Sequence, residues 1–499
     1  MASKEIEMSQ LPSQFQNSSV KAKEKNVKLP FVIHGKAIKP ESDNEQFIAS
    51  NSGNIIFPKY ETFRENFRKG KNPLAETSVQ DIIGFLFRVG KLWENEEYIR
   101  RRMYIKQMCE YLGYSEKMAI TEADFIGSSL RGGSRLWDTL DVELGNRHIL
   151  DSWIKIEDSE VKAFPKGLMT HVLSGNAPIA VLLSILRSIL TKNQTVVKVA
   201  SGDPITPTHI AQSFLDVDNS HPVSQSIHTV YWPPNSSDGA DFLRLSDGIC
   251  VWGGAEALKW VHKNTAPGIE IISFGPKRSL SIIQTDNVDL EIAARLVAHD
   301  ICMYDQEACF STQNVFVLGD VKTFSNKLAE ALVRYDKILP SPQRTIDETA
   351  KVLLSRLHND FLGNEISASP ENAWQVISSD PTDNIRHPGS RTAFVHSIAS
   401  VSEIYKYVDS SVQTVAVYPW NFMKEFREEL AKLGISRIVE CGSSGVYRLG
   451  ATHDGMYPIT RFVRYVSMEA PSEVYPKGMT IPMNMSKIIE YRQFRDLFI

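Results

Sequence analysis

Thr195-Val-Val-Lys-Val199, Ser226-Ile-His-Thr-Val-Tyr231, Gly248-Ile-Cys-Val-Trp252 and Ile269-Glu-Ile-Ile-Ser-Phe274 are short apolar runs with several β-branched residues. Between them lie helical segments: Pro207–Phe214, Asp241–Arg244 and Glu256–His262. Strands and helices alternating at this interval predict βαβ units, that is, a parallel sheet with helices on both faces. A second α/β stretch follows. Val315–Leu318 reads as a strand, Val321–Tyr335 as a helix, and Gln413–Tyr418 and Ile438–Cys441 as further strands. The order predicts a nucleotide-binding domain followed by a second α/β domain.

Upstream the texture is different. Ile82, Ile83, Phe85, Leu86 and Val89 recur at helical spacing, and the helical pattern runs from Ser78 to Leu144, interrupted at Gly132-Gly133. Pro30–Ile38 reads as a hairpin turning at His34-Gly35. Residues 1–28 are polar and mixed in charge and read as a flexible tail. The expected division is a tail at 1–28, a helical and cofactor-binding region at 29–276, a catalytic domain at 277–470 and a C-terminal oligomerisation segment at 471–499.

Composition narrows the function classes. The 499 residues carry a net charge of −4, without the basic excess of a dedicated nucleic-acid binder. Five cysteines without a CxxC pair argue against a zinc ribbon or a disulfide framework and fit a reducing cytoplasm. No apolar core marks the N-terminus as a secretory signal. The longest apolar stretch, Ala177–Leu190, is too short to span a bilayer. Twelve histidines show no HxxxH or HExxH spacing, so no metal site is expected.

Four places could carry chemistry. Cys309 lies in a small-residue loop before a β run, where a nucleophilic thiol has access; the plainer reading is a structural cysteine. Its neighbour Cys302 sits in an apolar helical stretch and reads as core. Asn176, in Ser174-Gly-Asn-Ala-Pro178, could donate to a developing oxyanion or simply form a turn. Lys198, with Ser201 three residues on, ends a strand where α/β sheets bind ligands, but a surface lysine is equally ordinary. Gly253-Gly254 follows a strand and opens a helix whose amides could hold a pyrophosphate; two glycines alone also make a loop.

The order Asn176, Lys198, Gly254, Cys309, with separations of 22, 56 and 55 residues, resembles the aldehyde dehydrogenase superfamily. Within it the chain is most similar to the fatty-acid reductase family of bacterial bioluminescence, the long-chain acyl-protein thioester reductases or long-chain fatty acyl-CoA reductases. Lys91-Leu-Trp-Glu-Asn-Glu-Glu-Tyr98, Glu143-Leu-Gly-Asn-Arg-His148, Ala163-Phe-Pro-Lys-Gly167 and Ile189-Leu-Thr-Lys-Asn-Gln194 carry that likeness. So do Asp216-Val-Asp218, Tyr304-Asp-Gln-Glu-Ala-Cys-Phe-Ser311, Gln413-Thr414 and Ala451-Thr-His-Asp-Gly-Met456.

The resemblance implies an aldehyde-dehydrogenase-like fold, with a Rossmann-type cofactor domain, an α/β catalytic domain and an oligomerisation segment. It implies Cys309 as nucleophile, and Asn176 with the Cys309 backbone N–H as oxyanion donors. It places Lys198, Ser201, Gly253 and Gly254 at the cofactor. Oxidising relatives carry a general-base Glu where this chain has Ser273, a poor base, which favours reduction over hydrolysis; Glu307 is a carboxylate that could reach in instead. Ser201 stands where NAD-preferring members often place Glu, which leans toward NADPH. Implied partners are a long-chain acyl substrate, an acyl-protein synthetase and an acyl-transferase of a reductase complex, with the aldehyde passing to luciferase. A homo-oligomer contacting through Ser472–Ile499 is also implied. The rival readings are an acyl-CoA reductase or aldehyde dehydrogenase outside luminescence, and a non-catalytic acyl-carrying scaffold.

Overall fold

The computed structural model describes residues 26–50, 52–156, 159–382 and 387–469. The expected C-terminal segment 471–499, and the tail up to residue 25, lie outside the described residues. The tail's last residues differ from the expectation: Val27–Lys28 form a short parallel strand against Ile55–Ile56. Apolar Ile55, Ile56 and the adjacent Leu29 are buried there, so the chain end is held by a ladder and a core contact.

Phe31–Ile33 and Lys36–Ile38 pair antiparallel, as expected. Their turn needs two left-handed residues, and His34 (φ 45°) and Gly35 (φ 72°) supply them. The helical region forms four helices: Val79–Glu94, Ile99–Leu112, Glu116–Leu130 and Gly133–Leu144. The Ser78 hydroxyl caps the first by accepting from Asp81 N–H, while Gly113 and Gly145 close the second and fourth in the left-handed conformation. The apolar stripe from Ile82 to Val89 is buried against the first parallel sheet's unit.

That sheet has five strands: β1 (Leu168–Val172), β2 (Gln194–Lys198), β3 (Ile227–Val230), β4 (Gly248–Trp252) and β5 (Glu270–Phe274). They lie in the order β3-β2-β1-β4-β5 and every pairing is parallel. This doubly wound order puts its switch point between β1 and β4, where such sheets open a crevice at their C-terminal ends. The helix Pro178–Leu190 links β1 to β2, and Ala255–Asn264 links β4 to β5.

The second sheet has seven strands: β6 (Arg278–Gln284), β7 (Thr312–Leu318), β8 (Glu365–Ala368), β9 (Gln375–Ser378), β10 (Thr392–Ile398), β11 (Val412–Tyr418) and β12 (Arg437–Glu440). Their order is β8-β9-β10-β7-β6-β11-β12, parallel except for the β8–β9 pair. The ladders beside β6 are irregular. Ser279 pairs with Thr312 but Leu280 with Asn314, and Arg278 pairs with Val412 but Ser279 with Thr414. Gln313 and Gln413 are thus the extra residues of two bulges flanking Ser279. After β12 the chain leaves this sheet, and Val463–Glu469 pairs antiparallel with Ser159–Pro165.

No helix among the described residues is long and apolar enough to cross a membrane.

Candidate active site

A cavity of about 900 Å3 opens at the C-terminal ends of β1, β4 and β5. The loops that line it follow directly from those strands: Ser174–Ala177 after β1, Gly253-Gly254 after β4 and Gly275–Lys277 after β5. Its far wall is the loop Gln306–Phe310, which carries Cys309 and runs into β7. Asn176, Gly253, Gly254 and Cys309, far apart in sequence, therefore share one space.

The Asn176 loop is held on two sides. Its Nδ2 donates to the Glu307 carbonyl at 2.7 Å, tying it to the cysteine loop. On the other side Gly175 crosses Gly202 so closely that a Cβ on Gly175 would meet the Gly202 carbonyl carbon at 2.6 Å. Only glycine permits this crossing, which locks the Asn176 loop to the one leaving β2. Ala177 then caps the helix and Pro178 opens it with a φ already suited to the first turn.

The cysteine loop is built from uncommon backbone. Tyr304, Asp305 and Gln306 are consecutive left-handed residues (φ 55°, 49° and 70°). Facing them, Gly389, Ser390 and Arg391 are left-handed too (φ 73°, 56° and 55°). Non-glycine residues persist there only when their surroundings hold them. Gln306 does much of this: Nε2 donates to the Thr312 and Thr392 carbonyls at 2.7 and 2.6 Å, and Oε1 accepts from Thr392 N–H at 2.8 Å. Fully buried Arg391 lies 2.6 Å from Asp305 and 2.9 Å from Asp336. The Ser279 hydroxyl donates to the Cys309 carbonyl at 2.7 Å.

Burial, and secondarily the Asp454 carboxylate, push the Cys309 thiol up to about 11. Cys309 is the only cysteine lining the cavity among the described residues. Cys302 packs in the second sheet's core and burial raises its thiol to about 12, as its apolar helix suggested. The Glu307 carboxyl lines the cavity, raised by burial and by Asp305. Ser273 is not among the cavity's lining residues; its neighbour Phe274 is.

Lys198 and Ser201 lie at the same sheet edge but do not line the Cys309 cavity; Gly202 of their loop does. Lys198 is 8% exposed, its ammonium 5.5 Å from the Tyr231 ring and without an ion pair or hydrogen bond among the described residues. Burial pulls it down to about 8. An unpaired buried cation is costly for a fold alone and fits an anionic or polar ligand. The Ser201 hydroxyl is 3.4 Å from that of Tyr231. A Cβ on Gly254, which caps the helix Ala255–Asn264, would meet nothing within 4 Å, so the backbone there is open to a ligand. These features fit a dinucleotide along the edge of the first sheet. No group of three or more metal-ligating side chains occurs among the described residues.

A family model for acyl-CoA reductase (LuxC) matches residues 74–465. The chain belongs to the acyl-CoA reductase (LuxC) family. It is 38% identical over 470 residues to the long-chain acyl-protein thioester reductase of Vibrio harveyi, covering 93% of this chain and 98% of that one. With the enzyme of the same name from Photorhabdus luminescens it shares 39% over 475 residues, 94% and 99% of the two chains. Among solved structures, an NAD-dependent aldehyde dehydrogenase from Sinorhizobium meliloti superposes with a TM-score of 0.71 at 12% identity, over 93% of this chain and 98% of that one. Lactaldehyde dehydrogenase from Escherichia coli gives 0.68 at 13%, over 89% and 99%. The fold is that of the aldehyde dehydrogenases.

Reasoning along the chain left the roles of two further residues open. His453 and Asp454, in Ala451–Met456, line the cavity. The His453 ring stacks on Tyr447 (5.0 Å, 9°) and meets the edges of Trp252 and Phe274. Gln413, Tyr447 and Arg391 carried no signal as site residues; only the Gln413-Thr414 and Ala451–Met456 stretches pointed near them.

Proposed function

We propose that this protein reduces a long-chain fatty acyl thioester to the fatty aldehyde through a Cys309 acyl-enzyme. The observation that carries the reading is the single cavity shared by the Cys309 thiol, the Asn176 amide and the Gly253-Gly254 turn. Family membership supports the substrate class, since relatives of 38–39% identity are named long-chain acyl-protein thioester reductases.

The Cys309 sulfur attacks the thioester carbonyl, forming the new C–S bond. The tetrahedral oxyanion accepts hydrogen bonds from Asn176 Nδ2 and the Cys309 N–H, the donor's sulfur leaves, and the thiol proton ends on it. Bound NADPH supplies the hydride. Asn176 and the Cys309 N–H hold the second oxyanion in the same place; its collapse breaks the C–S bond, and one proton from solvent restores the thiol as aldehyde departs. Lys198, Ser201 and the Gly253-Gly254 turn hold the dinucleotide. Neutral Ser201 leaves room for a 2′-phosphate, the basis for preferring NADPH over NADH. Ser273 in place of a carboxylate disfavours hydrolysis of the acyl-enzyme.

The wider setting follows from the same reading: a cytoplasmic homo-oligomer that receives acyl groups from an acyl-protein synthetase and an acyl-transferase and passes aldehyde to luciferase. The domain division at 276/277 separates cofactor from nucleophile. One observation favours a second reading: Glu307 in the cavity could activate water and make the enzyme an aldehyde oxidant.

The test is intact-protein mass spectrometry after mixing with tetradecanoyl-CoA, with and without NADPH, beside Cys309→Ala. One added acyl group on the wild type alone, discharged to aldehyde by NADPH, is the expected result. An adduct persisting in Cys309→Ala would remove Cys309 as nucleophile. Acid rather than aldehyde, lost in Glu307→Gln, would favour the second reading.

A further inference from the structure

His453 is buried, yet neither nitrogen of its ring has a hydrogen-bond partner among the described residues. It lines the Cys309 cavity, and the charged groups beside it there already have partners. The Asp454 carboxylate accepts from Gln413 Nε2 at 2.7 Å, and Lys277 Nζ donates to the Ser410 carbonyl at 2.6 Å. Leaving a buried polar group unpaired destabilises a fold, so two orphaned nitrogens on a cavity wall fit a ligand.

The imidazole is held where it is. Its ring stacks on Tyr447 with centroids 5.0 Å apart, and meets the edges of Trp252 and Phe274 at 5.0 and 4.8 Å. The backbone is pinned as well: His453 and Met456 exchange hydrogen bonds of 2.9 and 3.1 Å across left-handed Asp454 and Gly455. Burial, with the charges of Arg187 and Arg437, holds the ring well below the usual histidine range. A neutral imidazole offers one N–H donor and one acceptor nitrogen.

Its position limits what the ligand is. Trp252 and Phe274 end β4 and β5, directly before Gly253-Gly254 and Gly275. Tyr447 packs on the same apolar cluster as Cys309, its ring 6.3 Å from Phe310. His453 therefore stands at the seam between the dinucleotide turn and the nucleophile. A dinucleotide held at that turn must bring its dihydropyridine ring to this seam, because the acyl carbon it reduces is bonded to the Cys309 sulfur. That ring is flat and apolar except for one carboxamide, which has a carbonyl acceptor and an NH2 donor. The aromatic walls suit the ring, and the imidazole suits the carboxamide.

We propose that His453 hydrogen-bonds the nicotinamide carboxamide of the reduced dinucleotide and so fixes how the hydride-bearing ring faces the Cys309 acyl-enzyme. The role rests on the reading that a nicotinamide dinucleotide binds over the Gly253-Gly254 turn.

The experiment is isothermal titration of the full-length protein with NADPH and with 2′-phospho-ADP-ribose, the same molecule without its nicotinamide, beside His453→Phe. Phenylalanine keeps an aromatic ring against Tyr447, Trp252 and Phe274 and removes both nitrogens, so the melting temperature is expected to hold or rise. NADPH is expected to bind His453→Phe about tenfold more weakly, the upper size of one hydrogen bond. 2′-Phospho-ADP-ribose is expected to bind wild type and variant alike. Unchanged NADPH affinity in the variant, as for a histidine that only exchanged protons with the sulfur, would overturn the proposal. Equal weakening of both ligands, as for a merely structural ring, would overturn it too. Should His453→Phe fail to fold, His453→Leu takes its place under the same two criteria. Should the wild type bind NADH and not NADPH, NADH and ADP-ribose are compared in the same way. A wild type that binds neither dinucleotide would overturn the underlying reading along with the proposal, whereas the two failures in the variant overturn the proposal alone.

Discussion

Asn176→Ala separates chemistry from scaffolding, because the proposed mechanism gives the two N–H groups of this amide different tasks. One is spent on the Glu307 carbonyl at 2.7 Å; the other is free for an oxyanion. Asn176 is exposed, so losing the first bond should cost only about 0.5 kcal/mol of stability, the low end for a solvated hydrogen bond. In a chain of this size that displaces the melting temperature by no more than roughly 2 °C. Losing the second removes an oxyanion donor, typically ~2.7–4 kcal/mol of transition-state stabilisation, or 10²–10³ in rate. Both half-reactions pass through an oxyanion at the same carbon, so acylation and hydride transfer should slow together. Asn176→Asp should be slower still, since a carboxylate would face both the Glu307 carbonyl and the oxyanion. The assay is single-turnover NADPH consumption by the preformed acyl-enzyme, beside a thermal melt of each variant. A rate within threefold of wild type (about 0.65 kcal/mol) would refute the assignment. So would a slow rate that came with a melting temperature lowered by roughly 5 °C or more, because the fold would then account for it.

Lys198→Met should stabilise the cofactor-free protein and weaken NADPH binding. A folded-state value of about 8 against an unfolded one of about 10.5 means the unfolded chain holds more protons between those values. Stability should therefore rise with pH across that window, by at most ~3.4 kcal/mol, and denaturant midpoints at its two ends would show the rise in wild type and its loss in the variant. Gly254→Val should leave the melting temperature unchanged, since its Cβ would enter open space, while raising the NADPH KM roughly tenfold or more (~1.4 kcal/mol); an unchanged KM would detach the turn from the cofactor. Arg391→Met leaves Asp305 and Asp336 without their shared cation and should cost roughly 3–5 kcal/mol, seen as a lower melting temperature and faster amide exchange across residues 303–312.

Some of this was readable along the chain because it depends on neighbours in sequence. β2, β3, β4 and β5 are short runs bounded by helical segments, and the hairpin at Phe31–Ile38 has its turn residues in place. Cys302 and Cys309 could be told apart because one sits in an apolar helix and the other in a loop. The central strands were harder. Leu168-Met-Thr-His-Val172 (β1) is buried on both faces, so its polar residues follow no alternation. His171 sits inside because its Nδ1 lies 2.6 Å from the Ser184 hydroxyl, a partner that local sequence does not reveal. β6 and β10 went unread as well, each lying between parallel neighbours in the second sheet.

The sequence by itself determined the alternation of strand and helix, the glycine turns and the placing of Cys309 in a loop and Cys302 in an apolar helix, all properties of residues within a few positions of one another. Tertiary structure alone decided which of those pieces meet. The crossing of Gly175 with Gly202, the clasp of Gln306 on β10 and the meeting of Asn176, Cys309 and Asp454 in one cavity depend on strand order and register. In a ladder of period two, one extra residue at a bulge decides which face a side chain takes. That choice is made between strands, where nothing in the local sequence records it.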